Sequence, residues 1–190
     1  QLDSIWTSDH IIVPKDNTPW TRVFETITTL GFFASITKKI FLGTSILVIP
    51  LRDPMILGKQ IATLDALSGG RVIIGIGIGW NEFEFSLLGK DFTSRGKVLE
   101  ENILKMRKMW KGEFSKEGYV SDPLPISASG PPILVGGQSN ATLNRVARFG
   151  DGWHPSGITQ EEYKSGIKKI VQINEREYIW SLRIGFAANK

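Results

Sequence analysis

LGTSILVIP (Leu42–Pro50), DPMILGKQIATLDALSGG (Asp53–Gly70) and RVIIGIGIGW (Arg71–Trp80) follow one another almost without interruption. Read in order they are strand, helix and strand. Asp53 is a good helix N-cap, and Pro54 stands at the first helical position, where a missing N–H costs nothing. Leu57, Ile61 and Leu64 recur at helical spacing, with Leu67 one turn further on. Gly69 and Gly70 supply a left-handed stop. The flanking strands are nearly continuous apolar runs, as expected of strands covered on both faces of a parallel sheet. The run is therefore a βαβ unit with a right-handed crossover. In folds built from such units, ligands bind at the carboxyl ends of the strands.

The same alternation extends in both directions. Ser4–His10 reads as a short strand. Thr18 and Pro19 read as the start of a helix with Val23, Ile27 and Leu30 on its buried stripe. The quoted unit follows, its first strand reading from Ile40 to Pro50, its helix over 54–68 and its second strand over 71–79. Trp80–Ser94 reads as a loop, and Arg95–Trp110 as a helix with Leu99, Ile103, Met106 and Trp110 on one face. Gly112–Pro132 is a turn-rich surface loop. Ile133–Gly137 reads as a strand, followed by a helix from near Ser139 with Leu143, Val146 and Ala147 inward and Gly150 as its stop. Asp151–Pro155 is a short strand. Thr159 and Glu162 form a capping box for a helix that turns Tyr163, Ile167 and Ile170 inward. A last strand is expected at Trp180–Ala187. Six strands separated by helical segments specify a parallel α/β sheet. A complete (β/α)8 barrel needs about 250 residues, so about six of its eight units are expected here.

The chain has 190 residues, 41% of them hydrophobic, which suffices for one domain spanning 1–190. It has no cysteine, which excludes disulfides and thiolate metal sites. No apolar run is long enough to cross a membrane as a helix, and the opening QLDSIWTSDH lacks a signal-peptide pattern, so a cytoplasmic location is expected. The net charge is +4. The basic residues are dispersed, and many, such as Lys105, Arg107, Lys108 and Lys111, sit late in a predicted helix where they complement its dipole. Neither a nucleic-acid nor a membrane partner is expected; an anionic small molecule suits the charge better.

SIWTSDH (Ser4–His10), LGTSILVIP, DPMILGKQIATLDALSGGR, IGIGIGWNEFEF (Ile74–Phe85), Arg95–Gly96 ahead of a helix ending in Trp, PPILVGGQS (Pro131–Ser139) and GDGWHP (Gly150–Pro155) occur in an order and spacing that resembles the luciferase-like flavin and deazaflavin oxidoreductases. The resemblance covers most of the chain and is nearest to the branch that uses coenzyme F420. It implies a TIM barrel of the luciferase-like type, here incomplete or reduced, lacking the usual first and last strand-helix units. It also implies a hydride transfer between F420 and a small organic substrate. The alternatives are an FMN-dependent monooxygenase and a non-catalytic flavin-binding barrel. Two open sheet edges would favour pairing into a homodimer.

The resemblance assigns roles to particular residues. Asp9 and His10 are expected to face the cofactor ring, His10 as the group suited to proton transfer near neutral pH. Thr44, Ser45 and Ile46 lie in the strand that carries a non-proline cis peptide in relatives; carried over, the bond is Ser45–Ile46. Gly75, Gly77 and Gly79 alternate, which permits close approach of a flat ligand or of neighbouring side chains. Asn81 is expected at the ring or ribityl chain, and Glu82 or Glu84 as a proton donor, with Glu82 the catalytic candidate. Gly136, Gly137, Gln138 and Ser139 form a glycine-rich turn into a helix, suited to the cofactor phosphate. Trp153 is expected beside the cofactor. His154, the second of two histidines, has no partners at metal-ligand spacing, and no metal site is expected.

Overall fold

The computed structural model describes residues 2–15 and 23–184. Among these residues six strands form one parallel sheet in chain order: β1 (Ser4–Thr7), β2 (Phe41–Val48), β3 (Val72–Gly77), β4 (Ile133–Val135), β5 (Gly152–Trp153) and β6 (Ile179–Trp180). The helices are α1 (Thr26–Ile36), α2 (Pro54–Ser68), α3 (Glu82–Leu87), α4 (Arg95–Trp110), α5 (Asn140–Phe149) and α6 (Gln160–Ile173). The sheet curls into an open half-barrel. Its curvature brings Trp6 of β1 into parallel stacking with His154 just beyond β5, ring centroids 4.9 Å apart.

The βαβ unit forms as the sequence specifies. The Asp53 carboxylate accepts hydrogen bonds from the Met55 and Ile56 amides, and Gly69 closes α2 in the left-handed conformation at φ 72°. One expected contact fails: Leu67 is 77% exposed. At 100° per residue the stripe of Leu57, Ile61 and Leu64 continues through Asp65 and Ser68, both buried, and Leu67 falls off it. Arg95–Trp110 forms its helix with the four expected side chains buried. Ser139 caps α5, and the capping box of Thr159 and Glu162 starts α6.

The strands are shorter than the apolar runs that announce them. Chain beyond Thr7, Val48, Gly77, Val135 and Trp153 leaves the ladder and supplies the rim instead. The expected loop 80–94 contains α3, capped by the Asn81 side chain on the Phe83 amide. The helix expected from Thr18 and Pro19 starts outside the described residues; α1 begins at Thr26, capped by the Glu25 carboxylate on the Thr28 amide. The last strand is confined to Ile179–Trp180, continued by a bridge between Ser156 and Arg183, and its expected end at Ala187 lies outside the described residues.

The main core lies between the outer face of the sheet and the helices, built from Leu42, Leu47, Ile74, Ile76, Ile133 and Val135 against Leu57, Ile61, Ile103 and Trp110. The inner face carries a different set. Gly43, Gly75 and Gly152 lie there in close contact with neighbours, Gly43 beneath the Trp6 ring, Gly75 against the Thr44 carbonyl and Gly152 against Ile179 and Leu134. This division directs polar side chains at the strand ends into the concave side of the half-barrel. Among the described residues no helix is long and apolar enough to cross a membrane.

Candidate active site

The site begins with an irregularity in β2. Thr44 pairs with Ile74 and Leu47 with Ile76, so two residues, Ser45 and Ile46, stand opposite Gly75. This is a β-bulge, which re-aims side chains. The Ser45–Ile46 peptide is cis. A Cβ on Gly75 would lie 2.1 Å from the Thr44 carbonyl oxygen, so only glycine accommodates the bulged backbone. The Ile46 side chain fills the space over Gly77, where an added Cβ would meet its Cδ1 at 2.0 Å, and also touches Gly136. Of the two readings of the alternating glycines, the structure adopts the neighbouring side chain. Thr44 is buried, its hydroxyl donating to the Gly75 carbonyl at 2.6 Å within the sheet.

Ser45, Ile46, His10, Trp80, Ser156 and Arg183 are among the residues lining a cleft of about 320 Å³ at the carboxyl ends of the strands. Gly79, at φ 79°, lines it too. The His10 Nδ1 lies 3.1 Å from Glu84 Oε2, and Glu84 is 2% exposed. The same carboxylate accepts hydrogen bonds from the Ile11 and Ile12 amides at 2.8 and 3.3 Å. The indole of Trp80 meets the His10 ring edge-on at 5.6 Å. With Nδ1–H donating to Glu84, Nε2 is the proton-accepting nitrogen of the neutral imidazole.

Of the two glutamates in this segment, Glu84 rather than Glu82 is brought to His10. Glu82 occupies the exposed first turn of α3, and two residues further along the helix turns Glu84 into the protein. Asp9 is placed as a brace. Its two oxygens accept the Val48 amide at 2.9 Å and Arg52 Nη2 at 2.7 Å, fixing the end of β2 against the chain after β1. Asn81 is occupied in capping α3, its Nδ2 reaching the Ile12 carbonyl at 3.5 Å.

Trp153 departs from its expected position. It stacks on Tyr163 with centroids 5.3 Å apart and packs against Gly166 of α6, its Nε1 donating to the Gly137 carbonyl. It belongs to the helix-facing layer. Alternation along a strand then turns the next residue, His154, to the concave side. His154 Nε2 lies 2.8 Å from Ser45 Oγ and Nδ1 2.8 Å from Ser181 Oγ. Burial, reinforced by the charge of Arg183, pushes its pKa down to about 4. His154 is therefore neutral at pH 7, donating to one serine and accepting from the other.

A linked stability effect follows. The unfolded chain protonates His154 near 6.5 and the folded chain only near 4. Between these values the unfolded state holds more protons, so His154 lowers stability progressively as pH falls from 6.5 to 4. In NMR titration its ring signals should stay at neutral positions through pH 5. His154→Gln should flatten the acid side of the melting-temperature profile. A titration of His154 near 6.5 in the folded protein would contradict the assignment.

At the glycine-rich turn, Gly137 adopts φ 103°, Gln138 is exposed and donates to the Ser156 carbonyl, and the Ser139 hydroxyl accepts the Thr142 amide. These residues stand at the amino end of α5, on the same rim as the cleft. No cluster of three or more metal-ligating side chains occurs among the described residues. Ser8 and Trp80 lie within the segments Ser4–His10 and Ile74–Phe85 but carry no signal of their own, Ser156 and Arg183 lie outside every quoted segment, and the four meet only through the curl of the sheet.

The luciferase-like monooxygenase family model matches residues 2–179. The chain is 30% identical, over 90% of its length, to the F420-dependent glucose-6-phosphate dehydrogenase of Amycolatopsis mediterranei, covering 54% of that enzyme. It is 33% identical, over 70% of its length, to the oxygenase component of the flavin-dependent trigonelline monooxygenase of Acinetobacter baylyi, covering 38% of it. An F420-dependent secondary alcohol dehydrogenase, solved with an F420–acetone adduct, superposes on 95% of the chain with TM-score 0.81 at 20% identity, over 59% of its own length. The chain spans about half the length of most of the curated relatives it matches.

Proposed function

We propose, from the premise that this chain belongs to the luciferase-like monooxygenase family, that the His10 cleft is the site of an oxidoreductase passing a hydride between a small organic substrate and coenzyme F420. The observation that carries the proposal is the His10–Glu84 pair opening onto a cleft whose floor is the Ser45–Ile46 bulge.

The residues present fit such a group. Ile46 gives an apolar floor, Ser8 and Ser45 line the cleft beside it, and the turn Gly137–Ser139 at the amino end of α5 suits a phosphate through the positive end of the helix dipole. When bound there, F420 would accept the hydride from the substrate carbon. The chain's own contribution is acid–base. His10 Nε2 takes the proton of the substrate hydroxyl while Nδ1–H stays on Glu84, whose carboxylate stabilises the resulting imidazolium. In the reverse direction His10 returns that proton to the carbonyl oxygen. Trp80, 57% exposed at the mouth, covers one edge of the imidazole.

FMN is the second reading, favoured by the similarity to the flavin-dependent monooxygenase component. Anaerobic titration with F420 and with FMN, followed by fluorescence quenching, separates the two. Tighter binding of F420 is expected; preference for FMN would move the reading to a flavin monooxygenase, and binding of neither would overturn it.

A further inference from the structure

His10 stands on chain that belongs to no ladder. β1 ends at Thr7, and residues 8–12 form neither strand nor helix. Side chains from other elements hold this segment instead. The Thr26 hydroxyl of α1 donates to the Ser8 carbonyl at 2.6 Å. Before His10, the Asp9 carboxylate accepts the Val48 amide and Arg52 Nη2–H. After it, the Glu84 carboxylate accepts the Ile11 and Ile12 amides and pairs with the His10 ring. The imidazole is thus held between two carboxylates, only one of which touches it.

Asp9 is 5% exposed, so its charge needs a partner in place. Arg52 supplies that partner at 2.7 Å. The same nitrogen, Nη2, also reaches the Glu25 carboxylate at 3.2 Å, the group that caps α1. Glu25 is half exposed and shares its charge with water, whereas Asp9 does not. The Arg52 Nε is buried with no hydrogen-bond partner among the described residues. Both carboxylates are therefore met by one end of the guanidinium, which acts as a local positive charge rather than as a planar fork.

We infer that Arg52 is a positioning residue for His10. By balancing the Asp9 charge it holds the segment of residues 8–12 against the end of β2, and so keeps the imidazole in the cleft with Nδ1–H on Glu84. The inference rests on His10 being the acid–base group of the proposed reaction. Its test follows the imidazole itself in the full chain without cofactor or substrate, so its failure and that of the redox reading are separable.

The readout is the pair of imidazole nitrogen NMR shifts at alkaline pH, where an ordinary imidazole is neutral. Wild type should show one His10 tautomer, with Nδ1 protonated, because Glu84 accepts that proton. In Arg52→Gln the buried Asp9 loses its cation, the segment loosens, and the single-tautomer signature should be lost to a mixture while the His154 signals hold. A purely stabilising arginine would leave the tautomer alone. Arg52→Lys should restore most of the signature, since it returns the charge and no fork is given up. Glu25→Gln should keep it, because Arg52 still meets Asp9. A melting curve establishes folding of each variant. If Arg52→Gln unfolds, the double variant Asp9→Asn with Arg52→Gln strands no buried charge and decides in its place, the same mixture being expected. A wild-type signature in the folded glutamine or double variant would overturn the inference. So would a lysine variant no closer to wild type than the glutamine one, or a Glu25→Gln variant that loses the signature as fully as Arg52→Gln.

Discussion

Glu84→Gln is expected to slow substrate oxidation by about 10²-fold or more, the range associated with loss of one well-placed acid–base group. The carboxylate holds His10 by Nδ1 and simultaneously accepts the Ile11 and Ile12 amides. It therefore fixes both the tautomer and the chain that carries the imidazole. Glutamine keeps one acceptor oxygen but loses the charge that stabilises imidazolium, and its amide competes to donate. His10→Asn removes the proton acceptor outright and should cost as much or more. Because the two residues act on one proton, the double variant should be little slower than the worse single one. Additive losses would mean that Glu84 acts only as a structural clamp.

Arg71→Ala is expected to produce the largest loss of stability. The side chain is buried where α1 and α2 end. Its Nε donates to the Ser68 carbonyl, Nη1 to the Thr37 hydroxyl and the Ile40 carbonyl, and Nη2 to the Ala34 and Thr37 carbonyls. Helix ends leave carbonyls without intrahelical partners, and this one side chain serves several of them at once. Truncation strands buried acceptors, each costing about 1–3 kcal/mol when water cannot replace the donor. A total near 4 kcal/mol, allowing for partial hydration, corresponds to a melting-temperature loss of roughly 10 °C for a chain of this size. Calorimetry reads it directly. A loss below about 2 °C would show that water satisfies those carbonyls in the variant.

The elements legible in the sequence are those whose signals are local. Asp53, Pro54 and the Gly69–Gly70 stop mark both ends of α2, and Thr159 with Glu162 mark the start of α6, because capping is settled within a few residues. Leu67 shows the limit of that reading: a stripe traced by apolar residues alone missed its continuation through Asp65 and Ser68, which are buried because each finds a partner. Asp65 accepts the Ile126 amide, and Ser68 accepts the Arg71 amide.

The site was legible as a set of segments rather than as a constellation. That Glu84 and not Glu82 meets His10 depends on how α3 is rotated against chain 74 residues away. Period-two alternation says that Trp153 and His154 point oppositely, but not which of them faces inward. A usable signal was present: Gly75, Leu134 and Gly152 share one row of the sheet, and His154 lies two residues beyond Gly152 on the same face. Arg183 carried no local signal at all, since its position is set by β6 and the curl of the sheet.

The central claim is that coenzyme F420 is received in the cleft held by His10 and Glu84. The chain has only two histidines, so their imidazole signals can be assigned with a single His10→Asn variant. The decisive measurement follows those signals by NMR as F420 is added. The account predicts that the His10 signals move saturably, with the same dissociation constant as fluorescence quenching. Quenching that leaves His10 unmoved, or an absence of binding, would contradict it.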